Sequence, residues 1–141
     1  MIAHYISDGG GNRVKASVTK NGQLVVGPYA YDEVSSQSLA TDNVAVNFFG
    51  PKAGFQFVLT TILLNAKKTV TTDGLVEIYE ATSSTSAVVA KSILAIEMLT
   101  NSVRDITGLN LLVSEGVYIN GKTDDNVVNG TLMGYYIPVI D

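Results

Sequence analysis

The chain lacks cysteine and tryptophan and has a single histidine, His4. Without cysteine, disulfide bonds, thiolate nucleophiles and cysteine-based zinc sites are excluded. A histidine that acts as a general base or binds a metal needs partner groups that hold its ring in place, and His4 lies close to a glycine-rich segment. No Gly-x-Ser-x-Gly sequence is present to position a serine nucleophile. The sequence therefore gives no support to a catalytic triad.

The chain also has little charge, since charged residues make up only 16% of it. Nine basic and thirteen acidic residues give a formal net charge of -4, and Lys67-Lys68 is the only adjacent basic pair. Nucleic-acid binding needs clustered lysine and arginine that displace counterions, so we expect no nucleic-acid partner. The mean hydropathy of +0.25 is high for a soluble protein. More apolar surface than one core needs predicts contacts with further subunits.

No apolar run is long enough for a membrane span of about 18 residues. The longest run, residues 55–64, is interrupted by Gln56, Thr60 and Thr61. The first six residues lack the basic start and apolar stretch of a signal peptide. We therefore expect a soluble protein that is made in a cytoplasm and has no membrane partner.

What the chain does contain is a series of short apolar runs separated by turn residues. Residues 13–20 alternate apolar and polar side chains, and Asn21-Gly22 predicts a type I′ hairpin turn to residues 23–26. Residues 29–31 are predicted as a short edge strand and residues 32–43 as a polar link. Seven further strands are predicted at residues 44–49, 55–65, 75–81, 92–99, 109–113, 117–120 and 127–137. Residues 82–86 are predicted as a solvated loop. Residues 87–98 also fit a helical period, so a helix remains the alternative there.

The number and spacing of these runs predict an all-β fold. About eight to ten strands with turns every 8 to 12 residues or so indicate a single antiparallel β-sandwich, most closely a jelly roll. The first twelve residues end in SDGGGN, which is typical of a flexible segment. We therefore predict a flexible N-terminal arm at residues 1–12 and one β-sandwich domain at residues 13–141.

The strand predicted at residues 55–65 is apolar on both faces. Strict alternation places Phe55, Phe57, Leu59, Thr61 and Leu63 on one face and Val58, Ile62 and Leu64 on the other. A strand with two apolar faces is either central in its sheet or covered by a neighbouring subunit.

Acidic residues occur in two loops and on several strands. Residues 123–126 (TDDN) and Asp42-Asn43 offer oxygen ligands, but a hard cation takes six to eight oxygens or so from several segments, and solvated turns are favoured. Glu77 with Glu80, or Glu97 with Glu115, would be the carboxylate pairs of a glycosidase. Their spacing on separate strands does not define a groove, and we predict no cofactor, no metal site and no catalytic residue.

Two short groups of residues are the candidates for partner binding. His4, Tyr5 and Ile6 lie on the predicted arm, and Tyr29 and Tyr31 flank Ala30 directly after Gly27-Pro28. Tyrosine side chains at an exposed edge combine an apolar body with a hydroxyl that can bind a partner surface.

Several segments together resemble small virion structural proteins of tailed bacteriophages. They are residues 22–32 (GQLVVGPYAYD), 47–54 (NFFGPKAG), 76–81 (VEIYEA), 115–125 (EGVYINGKTDD) and 133–136 (MGYY). The resemblance extends over most of residues 13–137, and its motifs are turns and strands that carry no chemistry.

The resemblance implies a non-enzymatic subunit of the virion that assembles in the host cytoplasm. It implies most specifically a capsid decoration (cement) protein that binds the outer shell, with the major capsid protein or other virion subunits as partners. Such proteins commonly form homotrimers. A tail, baseplate or fibre component that recognises the host surface is the alternative, and a small hydrolase is the third and least favoured hypothesis.

Overall fold

A computed structural model describes residues 4–7, 13–18, 24–25, 33–39, 41–66, 73–125 and 127–139, the first three ranges as backbone alone. This part of the chain contains strands and no helix. In chain order the strands are β1 (His4–Ser7), β2 (Arg13–Val18), β3 (Leu24–Val25), β4 (Glu33–Leu39), β5 (Val46–Phe49), β6 (Phe55–Ala66), β7 (Gly74–Ala81), β8 (Lys91–Met98), β9 (Val103–Ile106), β10 (Leu111–Leu112), β11 (Tyr118–Thr123) and β12 (Val128–Pro138).

The strands form antiparallel sheets in which distant parts of the chain are neighbours. A five-stranded sheet has the order β10-β6-β12-β4, and β9 pairs with another part of β6. A four-stranded sheet has the order β5-β11-β7-β8. Within the described ranges, β1, β2 and β3 pair with one another in a separate three-stranded sheet.

The two larger sheets pack face to face and enclose one hydrophobic core. β5, β7 and β11 contribute Phe48, Ile78 and Ile119, while β6 and β12 contribute Leu64 and Leu132. The predicted all-β sandwich is therefore confirmed. Consecutive strands cross repeatedly between the two sheets, in an order that is compatible with a jelly roll; that finer assignment stays a prediction.

Part of the predicted N-terminal arm is paired with the strand that follows it. His4–Ser7 aligns antiparallel with β2, with His4 opposite Ala16 and Ser7 opposite Arg13. The predicted division of the chain at residue 12 stays a prediction. The Asn21-Gly22 turn lies outside the described residues.

Most of the strands predicted after residue 43 are present, and their turns have a local cause. Gly54 has a φ of 78°, a conformation that glycine adopts without steric cost, and the amide of Phe55 donates to the carbonyl of Lys52 at 3.0 Å. This turn begins β6 where the sequence predicts it. The helical alternative for residues 87–98 is wrong, because β8 pairs with β7 over most of its length.

Besides β1, which lies in the predicted arm, two strands were not predicted. Residues 32–43 were expected to be a polar link, but β4 lies within them and pairs along β12. Its sequence, EVSSQSL, has few of the apolar side chains that mark a strand, because it is an edge strand whose middle is exposed. β9 is short and also lies at an edge, where it pairs with the end of β6.

A β-bulge changes which residues of β6 face the core. β12 pairs Met133 with Thr61 and Gly134 with Leu59, so Thr60 is the extra residue. Strict alternation holds on each side of the bulge but reverses across it. Four side chains consequently reach the same core, namely Phe57, Leu59, Ile62 and Leu64, and the predicted division into two faces is wrong beyond Thr60. Of the two alternatives for a strand with two apolar faces, β6 shows the first, since it has β12 on one side and β9 and β10 on the other.

Candidate interaction surface

The residues predicted to bind a partner fall largely outside what the structure describes. His4, Tyr5 and Ile6 lie in β1, where the structure gives their backbone pairing with β2. Tyr29 and Tyr31 lie outside the described residues. All five therefore remain predicted contact residues, and the described surface of the sandwich has to be considered independently of them.

Part of the outer face of the four-stranded sheet, around Tyr79 and Asn120, is covered by the β7–β8 loop, residues 82–90. The hydroxyl of Tyr79 donates to the carbonyl of Ser86 at 2.8 Å. The side-chain amide of Asn120 donates to the carbonyls of Ser83 at 2.9 Å and Ser86 at 3.1 Å, and its oxygen accepts from Asn47 at 2.9 Å. Tyr79 and Asn120 are fully buried although both point away from the core between the sheets. The loop thus belongs to the structure of this face.

The same outer face carries an ion pair. The ammonium of Lys122 lies 3.3 Å from the carboxylate of Glu77 and donates to the carbonyl of Ala87 at 2.9 Å. It also lies 5.4 Å from the centre of the Tyr79 ring. Burial raises the pKa of Tyr79, the hydrogen bond with Asn120 opposes that shift, and the charge of Glu77 adds to it. The buried polar groups around Tyr79 and Lys122 on this face are therefore hydrogen-bonded or ion-paired within the chain.

The outer face of the five-stranded sheet has the opposite character. Along β12, burial alternates strictly, so that Val128, Leu132 and Tyr136 face the core while Met133 and Tyr135 face outward. β6, β10 and β12 contain no charged residue at all, and the one charged residue of β4, Glu33, lies opposite the core-facing Gly134. Among these four strands the outward side chains are uncharged: Val34, Ser36, Ser38, Gln56, Val58, Thr61, Leu63, Asn65, Leu112, Asn129, Thr131, Met133, Tyr135 and Ile137. We call this surface the bare face.

Apolar side chains of the bare face are open to solvent. Val34 is 57% exposed and lies opposite the half-buried Met133. Leu112 is 48% exposed and lies opposite Val58, whose other neighbour across the sheet is Tyr135. Val58 is only 4% exposed but does not belong to the core cluster. An antiparallel sheet that faces water on one side normally has polar residues there, so the bare face has the composition of a contact surface.

One end of the sandwich holds an aromatic cluster beside a small pocket. Phe49 and Phe57 stack with their ring centres 4.3 Å apart, and Phe57 meets Tyr136 edge to face at 4.9 Å. The hydroxyl of Tyr136 donates to the carbonyl of Gly50 at 2.6 Å. The ammonium of Lys52 lies 4.5 Å from the centre of the Tyr136 ring. Burial raises the pKa of Tyr136, and the charge of Glu33 adds to the shift.

The two acidic loops meet in the fold, but their oxygens bind the protein itself. The amide of Asp42 donates to the carbonyl of Asp124 at 2.7 Å. One carboxylate oxygen of Asp124 accepts from the amides of Leu75 and Asp125, each at 2.7 Å. Among the described residues no group of three or more histidine, cysteine, aspartate or glutamate side chains could hold a metal ion.

The carboxylates considered for catalysis do not meet in a groove. Glu77 points outward to Lys122, whereas Glu80 is 4% exposed and accepts from the amide of Ser114 at 3.0 Å, with the ammonium of Lys91 at 3.7 Å. Glu97 and Glu115 are exposed. The described partners of Glu77 and Glu80 are Lys122, Ser114 and Lys91 of the same fold, and these contacts hold strands and loops together.

The bare face was not identified from the sequence, although a signal was present. The four strands contribute one charged residue between them, Glu33, which lies at the end of β4 on the core-facing side of the sheet and pairs with Lys52. Recognising the surface required knowing that these particular strands are neighbours, and β4 itself was missed. The Thr60 bulge also determines which side chains of β6 belong to it.

The chain has no match among protein families or curated proteins, and it has a match among solved structures. A chain of the cyanophage Pam1 capsid asymmetric unit is similar in structure, with 17% sequence identity and a TM-score of 0.45 over 86% of this chain and 98% of that chain. A match at this level does not define the function of the present protein. No helix within the described ranges is long and apolar enough to cross a membrane.

Proposed function

We propose that the protein is a non-enzymatic structural subunit of a tailed-phage virion, and most specifically a decoration protein that binds the outer shell of the capsid. The proposal combines the resemblance of residues 13–137 to such proteins with the surface of the sandwich. A decoration protein needs a stable body and an area that fits other subunits. It needs no catalytic group.

The observation that carries the proposal is the difference between the two outer sheet faces. One is partly covered by the β7–β8 loop and carries the Lys122–Glu77 ion pair. The other is uncharged on four neighbouring strands and exposes Val34 and Leu112. Leaving such apolar area in water costs about 25 cal/mol per Å², so its presence favours a molecule that works in an assembly.

A decoration protein of this kind would stabilise the shell by adding contacts. Internal pressure or heat would then have to break those contacts together with the contacts between capsid subunits. Each contact can be modest, because many copies bind to one particle and linked contacts reinforce one another.

The predicted contact residues remain part of this proposal. His4, Tyr5 and Ile6, with Tyr29 and Tyr31, are proposed to contact the particle or a neighbouring copy. Deleting residues 1–12 is expected to weaken attachment while the melting temperature of the domain stays unchanged. A collapse of the melting temperature would assign the segment to the body of the domain instead.

The experiment that tests the function compares particles with and without the protein. Particles that lack it are expected to release DNA at a lower temperature, and adding the purified protein back is expected to restore the wild-type value. Quantitative mass spectrometry of intact particles should find the protein in proportion to the shell subunits. A few copies per particle with adhesion to host cells would favour the tail component instead. Unchanged heat stability would contradict the decoration role.

A further inference from the structure

We propose that the bare face is a self-association surface on which a second copy of this chain docks with its own bare face in a two-fold pair. The inference deepens the proposed function, on which it rests for its biological setting, by assigning a partner to one surface. The evidence is the charge distribution of the chain, the composition of the face and the area it offers.

Charge favours a second copy as the occupant. Each chain carries a formal net charge of -4, so two copies repel each other unless they meet where the acidic residues are absent. The outward side chains of β4, β6, β10 and β12 include no carboxylate and no ammonium. A two-fold pair brings the same patch of both copies together. The bare face is the described sheet face on which the fewest charges meet, because the carboxylate nearest to it, Asp105, lies at its margin on β9, opposite Leu63.

The side chains of the bare face suit a contact between sheets. Val34, Met133, Tyr135 and Leu112 supply apolar area on neighbouring strands. Between them lie hydroxyl groups, of which Ser36 and Thr131 are already hydrogen-bonded to each other at 2.8 Å. Two sheets pack face to face at about 10 Å when such side chains interdigitate. Pairing the two faces would bury no charged side chain of these four strands, so the cost of desolvating charges would be small.

The size of the face predicts a weak contact. β6 has 12 residues, β12 has 11, β4 has 7 and β10 has 2. At about 3.3 Å rise per residue and about 4.8 Å between strands they cover roughly 500 Å², so a pair would bury on the order of 900 Å². Stable interfaces bury about 1,200–2,000 Å². We therefore expect dimers in rapid, concentration-dependent exchange in solution, which become persistent where many copies are held close together on one particle.

Analytical ultracentrifugation of the purified full chain tests the inference. The wild-type protein is expected to approach twice the 14.9 kDa of one chain as its concentration rises. Val34→Lys and Leu112→Lys are expected to weaken the dimer at least ~10-fold, because each buries an ammonium among the uncharged side chains of the opposing β4, β6, β10 and β12. Both positions are exposed, so the melting temperature at low concentration should not change.

Leu75→Lys is the matched control. Leu75 is 42% exposed, close to the 48% of Leu112, but it lies on the outer face of the four-stranded sheet opposite Glu97. This variant adds the same charge and should dimerise like the wild type. A wild-type protein that stays monomeric or forms a trimer overturns the inference. So does a dimer that Leu75→Lys disrupts, or one that folded Val34→Lys and Leu112→Lys variants leave intact.

Binding of the same variants to undecorated particles separates the inference from the proposed function. If the wild type dimerises through the bare face but does not bind shells, the self-association stands and the decoration role fails. If the wild type is monomeric and Leu112→Lys abolishes shell binding, the bare face contacts the shell, so the self-association fails and the decoration role stands.

Discussion

At the scale of single residues, close approach between strands and buried hydroxyl groups control stability. Gly134 follows the register shift in the β12–β6 pairing, and a Cβ there would collide with the carbonyl oxygen of Val58 and with the Phe57 ring. Tyr136 bonds the carbonyl of Gly50 from within an aromatic cluster. The first contact requires that residue 134 has no Cβ atom, and the second requires the hydroxyl oxygen of Tyr136. A single substitution therefore tests each of them.

Gly134→Ala is expected to lower the free energy of unfolding by about 3 kcal/mol, since the added methyl group meets backbone that cannot move without breaking the pairing of β12 and β6. Urea unfolding measures the change. Gly50→Ala is the control, because its Cβ would meet only the Tyr118 ring at 3.5 Å, and it should cost less than about 0.5 kcal/mol. Equal costs for the two variants would contradict this account.

Tyr136→Phe is expected to lower the free energy of unfolding by about 1 kcal/mol at neutral pH, because the carbonyl of Gly50 loses its donor. The variant should also change the response to alkali. Burial raises the pKa of Tyr136 above its ordinary value of 10.0, so the folded state favours the neutral hydroxyl. That stabilisation is complete below pH 10 and is lost as the pH rises through the raised pKa.

The wild type should therefore lose stability above about pH 10 more steeply than Tyr136→Phe does. Urea unfolding at neutral and alkaline pH measures both slopes. Ser36→Ala, which changes no titratable group, is the control and should follow the wild type. Identical alkaline slopes for the wild type and Tyr136→Phe would exclude a contribution from this hydroxyl.

At the scale of elements, the β7–β8 loop is held to its sheet by buried side chains of β7 and β11. Asn120 is central, because it bonds both the loop and Asn47 of β5. The loop contributes Ser, Thr, Ala and Val and no charged side chain. Hydrogen bonds from side chains of the underlying sheet therefore hold the loop in position, and the bond from Lys122 to the carbonyl of Ala87 is one of them.

Asn120→Ala is expected to destabilise the protein by about 2–3 kcal/mol, since it removes three hydrogen bonds of a fully buried side chain, to Ser83, Ser86 and Asn47. It should also increase amide hydrogen exchange in residues 82–90 more than in β12. Ser36→Ala removes an exposed side-chain hydrogen bond with Thr131 and should change stability by less than about 0.5 kcal/mol. Unchanged exchange in the loop would mean that its position does not depend on Asn120.

At the scale of the whole molecule, two features have opposite effects on the association of two copies, namely the net negative charge of the chain and the uncharged bare face. The charge keeps copies apart at a distance, whereas the bare face favours contact at short range. An interface made of ion pairs would weaken as salt is added. An apolar contact between like-charged molecules behaves in the opposite way.

Self-association is therefore expected to strengthen when the ionic strength rises from about 0.01 M to 0.15 M, because the screening length falls from about 30 Å to 8 Å. Sedimentation at both salt concentrations measures the change in dissociation constant. Leu75→Lys, which reduces the net charge without touching the bare face, should show a smaller salt effect. Dissociation on adding salt would indicate ionic contacts in place of apolar ones.

Much of the architecture followed from local patterns in the chain. Alternating apolar residues and glycine-containing turns predicted β5, β6, β7, β8, β11 and β12, because a half-buried strand imposes a two-residue period on its own sequence. The edge strand β4 escaped detection since its exposed side chains need not be apolar. The reversal of faces in β6 was also invisible, since a bulge is defined by the partner strand.

The sequence alone determined the fold class, the scarcity of charge and the lack of cysteine chemistry, since these depend on composition and on short-range periodicity. Only the tertiary structure decided which strands are neighbours, and with that which outer face is covered by the β7–β8 loop and which is bare. The reason is physical: a surface is formed by residues far apart in the chain, and their adjacency is fixed by how the two sheets bury their common core.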